Sequence, residues 1–319
     1  MRRLIGLLFT LYVGLVAAFA FSPRQAAEPP PPQTRIDQLL MLDGLALEDR
    51  LVVVGEAGRI FLSGDGRDWR PVATPTHATL TALASIDGRR LVAVGHDGVI
   101  LRSEDGGEQW ALVREDPAAE GPLLAVHFDA RGHGLAVGAY GLMLESRDGG
   151  LSWRRRPLDF GDPHLNAIAQ GPDGRLLIAG EAGTLLRADP DGEDWEPLDS
   201  PYEGSYFGLL SMGDGALLAF GMRGHLYRSR DGGGHWEALA SGTDASLFGG
   251  LVLEGGQVLL VGQNGQLLWA RDGTDFSVRE IPGRATHSAL LRGRDGGLLL
   301  VGEGGVTRLG SGAWREGMP

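Results

Sequence analysis

From residue 36 onward, apolar runs of four to seven residues alternate with turns rich in glycine and aspartate. In one well-formed unit the runs are Leu80–Ile86, Leu91–Gly95, Val99–Ser103 and Trp110–Arg114, separated at Asp87-Gly88, His96-Asp97-Gly98 and Asp105-Gly106-Gly107. Short runs bounded by such residues predict strands, and no segment here carries the 3.6-residue apolar stripe of a helix. The pattern then repeats. The glycine that opens a G-x-x-G turn falls at 55, 95, 138, 180, 221, 262 and 302, at intervals of 40 to 43 residues. Seven units of four strands at that period predict an all-β chain, a seven-bladed β-propeller of four-stranded antiparallel blades.

Columns aligned on that glycine support the assignment. Thirteen residues before it stand Ala82, Ala125, Ala167, Gly208, Gly249 and Ala289, small enough for strands crowded around a central axis. One place later come Leu83, Val126, Ile168, Leu209, Gly250 and Leu290, mostly bulky and suited to burial between blades. The first unit breaks both columns, with Leu42 at the small place and Asp43 at the apolar one, which predicts an offset or replaced first strand. Two closures of the ring are compatible with the pattern: Ile36–Leu42 joins the last blade, or Ser311-Gly312-Ala313-Trp314 supplies that blade's own fourth strand.

A second motif, S-x-D-x-G-x-x-W, stands between the third and fourth strands. It is complete at Ser103, Asp105, Gly107 and Trp110, at Ser146, Asp148, Gly150 and Trp153, and at Ser229, Asp231, Gly233 and Trp236. Looser copies run from Ser63 to Trp69, Ala188 to Trp195 and Ala270 to Phe276, with Pro190 where the fourth unit should have Asp and Phe276 where the sixth should have Trp. The aspartates can accept turn N–H groups, the glycines admit positive φ, and the tryptophans pack between sheets, so the motif predicts a folding device rather than a catalytic site.

The motif resembles the Asp-box, or bacterial neuraminidase repeat, and the arrangement over residues 36–319 resembles the photosystem II stability/assembly factor-like family of propellers. The resemblance implies a non-catalytic protein-binding role, as an assembly or accessory factor for a membrane protein complex. In that family the complex is photosystem II for plant and cyanobacterial members; proteobacterial relatives are expected to serve other envelope complexes, among them efflux transporters of the resistance-nodulation type. The resemblance also implies that the Asp-box turn lies opposite the usual ligand face and that partner binding relies on a basic patch.

Function is therefore to be sought at the G-x-x-G turns and the links between blades. Their constant glycines enclose variable residues: Glu56-Ala57, His96-Asp97, Ala139-Tyr140, Glu181-Ala182, Met222-Arg223, Gln263-Asn264 and Glu303-Gly304. The expected partner-binding residues are Glu56, His96, Asp97, Tyr140, Glu181, Arg223 and Asn264, with Tyr206 from a long inter-blade link. Other links carry Arg154-Arg155-Arg156, His164 and Tyr202; arginine beside aromatic residues suits an interface, and a solvated strand end accounts for the arginine triplet equally simply.

The competing function is a glycoside hydrolase with carboxylates on the same face, Glu181 paired with Glu56 or Asp97. For a sialidase, Arg223, Tyr206, Glu181 and Asp97 supply the residue types, but no Arg-Ile-Pro motif occurs and seven units stand where sialidases have six. No cofactor or metal is expected, since the histidines lack H-x-x-x-H or H-E-x-x-H spacing. His127 falls in an inner strand, either lining the axial channel or packed in the core.

Composition narrows the partners. A formal charge of −12 argues against general binding to nucleic acid or anionic membranes, and offers no bulk excess of basic residues for a basic patch. All 29 basic residues are arginine, as coding bias in a GC-rich genome produces. Cysteine is absent, which removes disulfides, thiolate metal sites and lipoprotein anchoring. Residues 1–27 are expected to be an export signal, with Arg2-Arg3 ahead of an apolar run from Leu4 to Phe21 and small residues at Ala18-Phe19-Ala20. The run is also long enough to span a bilayer, so an uncleaved anchor in the inner membrane is the alternative to a free periplasmic protein. Residues 28–35 form a proline-rich spacer, and the propeller is expected to be monomeric.

Overall fold

The computed structural model describes residues 35–116, 121–189, 192 and 194–310. The expected leader, nearly all of the spacer, Pro190 and the Ser311–Trp314 segment lie outside them. Within the described chain the strands form seven antiparallel sheets, one per unit, in simple meander order. Blade 2 runs Leu80–Ser85, Leu91–Gly95, Ile100–Ser103 and Ala111–Arg114, within one residue of the sequence expectation at every boundary. Blade 7 has three strands among the described residues, His287–Arg292, Leu298–Gly302 and Gly305–Leu309.

The segment proposed to close the ring behaves otherwise than expected. Residues Ile36–Gln38 form a 3-10 turn rather than a strand, and Met41–Ala46 is the inner strand of blade 1 itself. The turn still touches blade 7, because a Cβ on Gly305 would stand 2.1 Å from the Ile36 carbonyl oxygen.

The anomaly of the first unit has a simple cause. The hairpin from inner to second strand in blade 1 spans four residues, 47–50, against five, 86–90, in blade 2. Counting back from the glycine therefore slips by one. In register, Asp43 faces Val54 as Ala82 faces Val94, so Asp43 occupies the small place near the axis and Gly44 the place expected to be apolar.

Every inner strand carries a β-bulge at the same point, one residue after its first ladder pair. The bulged residues are Leu42, Thr81, Leu124, Asn166, Phe207, Phe248 and Ser288, and all seven line the central channel. A bulge re-aims a side chain. Inner strands of neighbouring blades share no ladder, and several polar groups tie them instead. Thr81 donates to the Leu123 carbonyl (2.6 Å), Asn166 to that of Tyr206 (2.8 Å) and Ser288 to that of Met41 (3.2 Å). The apolar core lies between blades: Leu80 and Leu83 of blade 2, for example, pack on Val52, Val54 and Ile60 of blade 1.

Candidate functional site

Antiparallel meander topology sends successive turns to alternate ends of a blade. The Asp-box turns therefore share one face with the inner hairpins, and the G-x-x-G turns share the other with the inter-blade links. Hydrogen bonds agree: the Gly106 N–H donates to Arg89 of the inner hairpin, and the His96 N–H to Thr79 of a link.

On the Asp-box face the polar atoms satisfy one another. Ser103 Oγ accepts from the Gly107 N–H (2.9 Å), Asp105 Oδ1 from the Gln109 N–H (3.0 Å), and the Trp110 indole donates to the Gly107 carbonyl (3.0 Å). Ser146, Asp148, Gly150 and Trp153 repeat the arrangement, as do Ser229, Asp231 and Gly233, although the Trp236 Nε1 meets no acceptor. Arginines absent from the motif add staples between blades. Arg102 donates to the Gly149 carbonyl (2.7 Å) and Arg187 to that of Gly232 (3.0 Å). The arginine triplet is also a strand-end device, with Arg154 ion-paired to Glu145 (2.7 Å) and Arg156 standing 3.5 Å from the same carboxylate.

The G-x-x-G turns have one backbone and many side chains. A Cβ on the first glycine would meet the incoming link, as at Gly95, 2.0 Å from the Thr79 carbonyl oxygen. The last glycine is left-handed and pressed on the outgoing link; at Gly224 φ is +70° and a Cβ would lie 2.0 Å from the Thr243 oxygen. The residue between them at the tip is left-handed too. Ala57, Asp97, Tyr140, Ala182, Arg223 and Asn264 have φ from 51° to 58°. Asp and Asn tolerate that conformation, whereas Tyr140, Arg223 and the two alanines hold it at a steric cost that glycine would avoid. At the same place in blade 7 stands Gly304.

The expected partner-binding residues separate into three groups. His96, Asp97, Tyr140, Arg223 and Asn264 are exposed at the tips, Tyr140 at 58%. Glu56 and Glu181 are turned back: the first accepts from the Leu40 N–H (3.0 Å), the second from the His164 N–H (2.8 Å). Glu303 does the same for Thr286 (2.8 Å) and Gln263 for Ser246 (3.3 Å), so this column caps the entry to the inner strand. The recurrence of Glu or Gln in four of seven turns was the available signal. Tyr206 is a correction. It is fully buried as the first residue of an inner strand, where blade 2 has Leu80, and its hydroxyl bonds Ser200 Oγ (2.9 Å). Burial pushes its pKa up to about 12, and it contributes packing rather than a surface.

Its neighbours supply the surface instead. Tyr202 stacks on His225 (ring centroids 4.3 Å apart), and its hydroxyl donates to the Met222 carbonyl (3.3 Å). Burial raises the Tyr202 pKa, with nearby Arg223 working in the opposite direction. His225 Nδ1 donates to the Met222 carbonyl (3.0 Å), which sets the tautomer. On the adjoining link Tyr140 meets His164 edge-on at 4.9 Å, and Phe160 is exposed. Blades 3 to 5 thus present aromatic rings, a methionine and an arginine along one arc. His225 and the stack it makes were not visible in the repeat pattern, since neither lies inside G-x-x-G.

The carboxylates put forward for hydrolysis lie on separate turns outside the cavity. Glu56, Asp97 and Glu181 belong to turns of blades 1, 2 and 4, and none lines the central cavity. Nor does His127 line it; that imidazole is largely enclosed, its Nε2 has no partner, and burial lowers its pKa. Among the described residues no group of three or more His, Asp or Glu side chains is placed to hold a metal ion.

Residues 114–271, about half of the chain, match the family described as Photosynthesis system II assembly factor YCF48. The chain is a photosystem II assembly factor-like Asp-box propeller. Solved structures share the fold of this assembly factor-like propeller. YCF48 bound to D1 peptide superposes with a TM-score of 0.71 at 18% identity, covering 91% of this chain and 99% of that one. YCF48 from Cyanidioschyzon merolae gives 0.68 at 15% identity, covering 86% and 96%. A streptogramin B lyase gives 0.69 at 15% identity, covering 86% and 95%, so the propeller alone does not decide between binding and catalysis. No curated protein matches the chain in sequence.

Proposed function

We propose that this propeller is an exported, non-catalytic assembly or accessory factor that holds a segment of a membrane protein complex on the G-x-x-G arc of blades 3 to 5. The observation that carries it is the pair Tyr140 and Arg223, large side chains kept in left-handed backbone beside the partly exposed Tyr140–His164 and Tyr202–His225 ring pairs. Strain of this kind is retained where a side chain is needed at the tip, and aromatic residues with arginine are the usual anchors of a protein interface. Support comes also from the assembly-factor family and from a propeller of this fold that binds the D1 peptide. The apolar leader with its small-residue cleavage positions supports export to the periplasm or anchoring at the inner membrane facing it.

The test is affinity capture from detergent-solubilised membranes of the source cell, comparing the unaltered chain with Tyr140→Gly/Arg223→Gly. The expected result is a loss of at least about tenfold in the captured complex, with thermal stability equal or higher, because glycine relieves both turns. Full retention of the complex by the double variant would exclude this arc as the binding site.

A further inference from the structure

The axial channel is a second feature, and it does not depend on the partner-binding proposal. Its volume is about 680 Å³, within the range of small-molecule pockets. The walls are chemically unequal. On blades 5 and 6, Phe207 and Phe248 lie with ring centroids 5.3 Å apart. Phe220, almost fully buried, backs this wall because Gly208 leaves it room; a Cβ there would stand 2.2 Å from the Phe220 ring. Blade 1 contributes Asp43 to the same cavity.

Asp43 is the exception among seven equivalent places, where the other blades have Ala82, Ala125, Ala167, Gly208, Gly249 and Ala289. Its oxygens accept from the Gly44 and Leu83 N–H groups, both at 2.8 Å. The Leu83 bond ties blade 1 to blade 2. Tying strands does not require a charge, however, since Thr81, Asn166 and Ser288 do the same with neutral groups. Among the described residues no basic side chain lines the cavity, and its other carboxylate, Glu303, is engaged by the Thr286 N–H at the mouth. Removal from bulk water pushes the Asp43 pKa up to about 6, so at neutral pH the channel holds a carboxylate without a counter-ion. A cation seated beside it would relieve that penalty, and an apolar body would cover the phenylalanine wall.

We infer that the channel is a binding site for a small organic cation, an ammonium or guanidinium group on an apolar or aromatic body, with its charge at Asp43 and its body against Phe207 and Phe248. The test is isothermal titration of the propeller at pH 7.5 with phenethylammonium, against phenethyl alcohol and phenylacetate as neutral and anionic counterparts. The ammonium is expected to bind at least about tenfold more tightly than the alcohol, and phenylacetate not at all. Asp43→Asn, whose amide oxygen still accepts from the Leu83 N–H, should bring the ammonium down to the level of the alcohol. Absence of binding by the ammonium, equal binding of ammonium and alcohol, or undiminished ammonium binding by Asp43→Asn would overturn the inference. The selectivity of the unaltered chain is decisive by itself, whether or not the variant folds.

Discussion

The two faces of this propeller use repetition in opposite ways. On the Asp-box face the side chains recur, and they are consumed locally: Ser103, Asp105 and Trp110 satisfy their own turn, and Arg102 and Arg187 reach across to the next one. On the G-x-x-G face the backbone recurs and, apart from the Glu or Gln that caps the inner strand in four turns, the side chains do not. Its glycines hold identical left-handed tips, yet those tips carry alanine, aspartate, tyrosine, arginine or asparagine. A recurring side chain marks a solved folding problem, whereas a recurring backbone with changing occupants is a mount for chemistry specific to each blade.

Substitution should separate the faces by size and by sign. The largest effect is expected from Trp110→Ala, which empties a nearly buried site between blades 1 and 2 and should cost about 3–5 kcal/mol in urea unfolding. Partner capture by the fraction still folded should be unchanged. A loss of binding without a loss of stability would reverse the assignment of the faces.

Asp148→Ala comes next. Asp148 accepts from Ser146 Oγ, from the Leu151 and Ser152 N–H groups and from Ser152 Oγ, but it is exposed, so the expected cost is about 1–2 kcal/mol. Chiefly the Ser152 hydroxyl, opposed by partial burial, lowers its pKa from 3.8 to about 2. The stabilisation is therefore complete above about pH 4 and lost as pH falls through 2. Comparison of Asp148→Asn with the unaltered chain in acid denaturation checks it: the difference in stability should shrink over that interval.

On the opposite face the sign should invert. Tyr140→Gly and Arg223→Gly are each expected to gain about 1 kcal/mol, the relief of left-handed strain less the added chain entropy of glycine. Thermal unfolding measures the gain, and a fall in stability for both would mean that their rings and charges hold the fold together rather than face a partner. The smallest change is expected from Glu56→Gln, within about 0.5 kcal/mol, because the amide oxygen still accepts from the Leu40 N–H. Glu56→Ala, which leaves that N–H without its acceptor, should cost about 1 kcal/mol in the same unfolding measurement.

The columns of the repeat carry more than the small and bulky places of the inner strand. Fifteen residues before the glycine, Leu80, Leu123 and Leu165 share a place with Tyr206, and that alone predicts a buried tyrosine. The capping role of Glu56, Glu181 and Glu303 was likewise present as a recurrence. Asp43 was harder. One residue missing from a hairpin shifts the count, and a strand shifted by one shows the wrong face.

What the sequence determined by itself was everything carried by short-range chemistry: strand alternation, turn residues and the seven-fold period are decided within a few residues of chain. Tertiary structure decided what depends on residues about forty positions apart. The bulge on each inner strand turns Thr81, Phe207 and Phe248 into the channel, the ring sets Asp43 in one cavity with the phenylalanines, and the link into blade 5 brings Tyr202 onto His225 just past that blade's G-x-x-G turn. Those encounters follow from how blades stack around an axis, and that angle is set by packing between sheets rather than by any one segment.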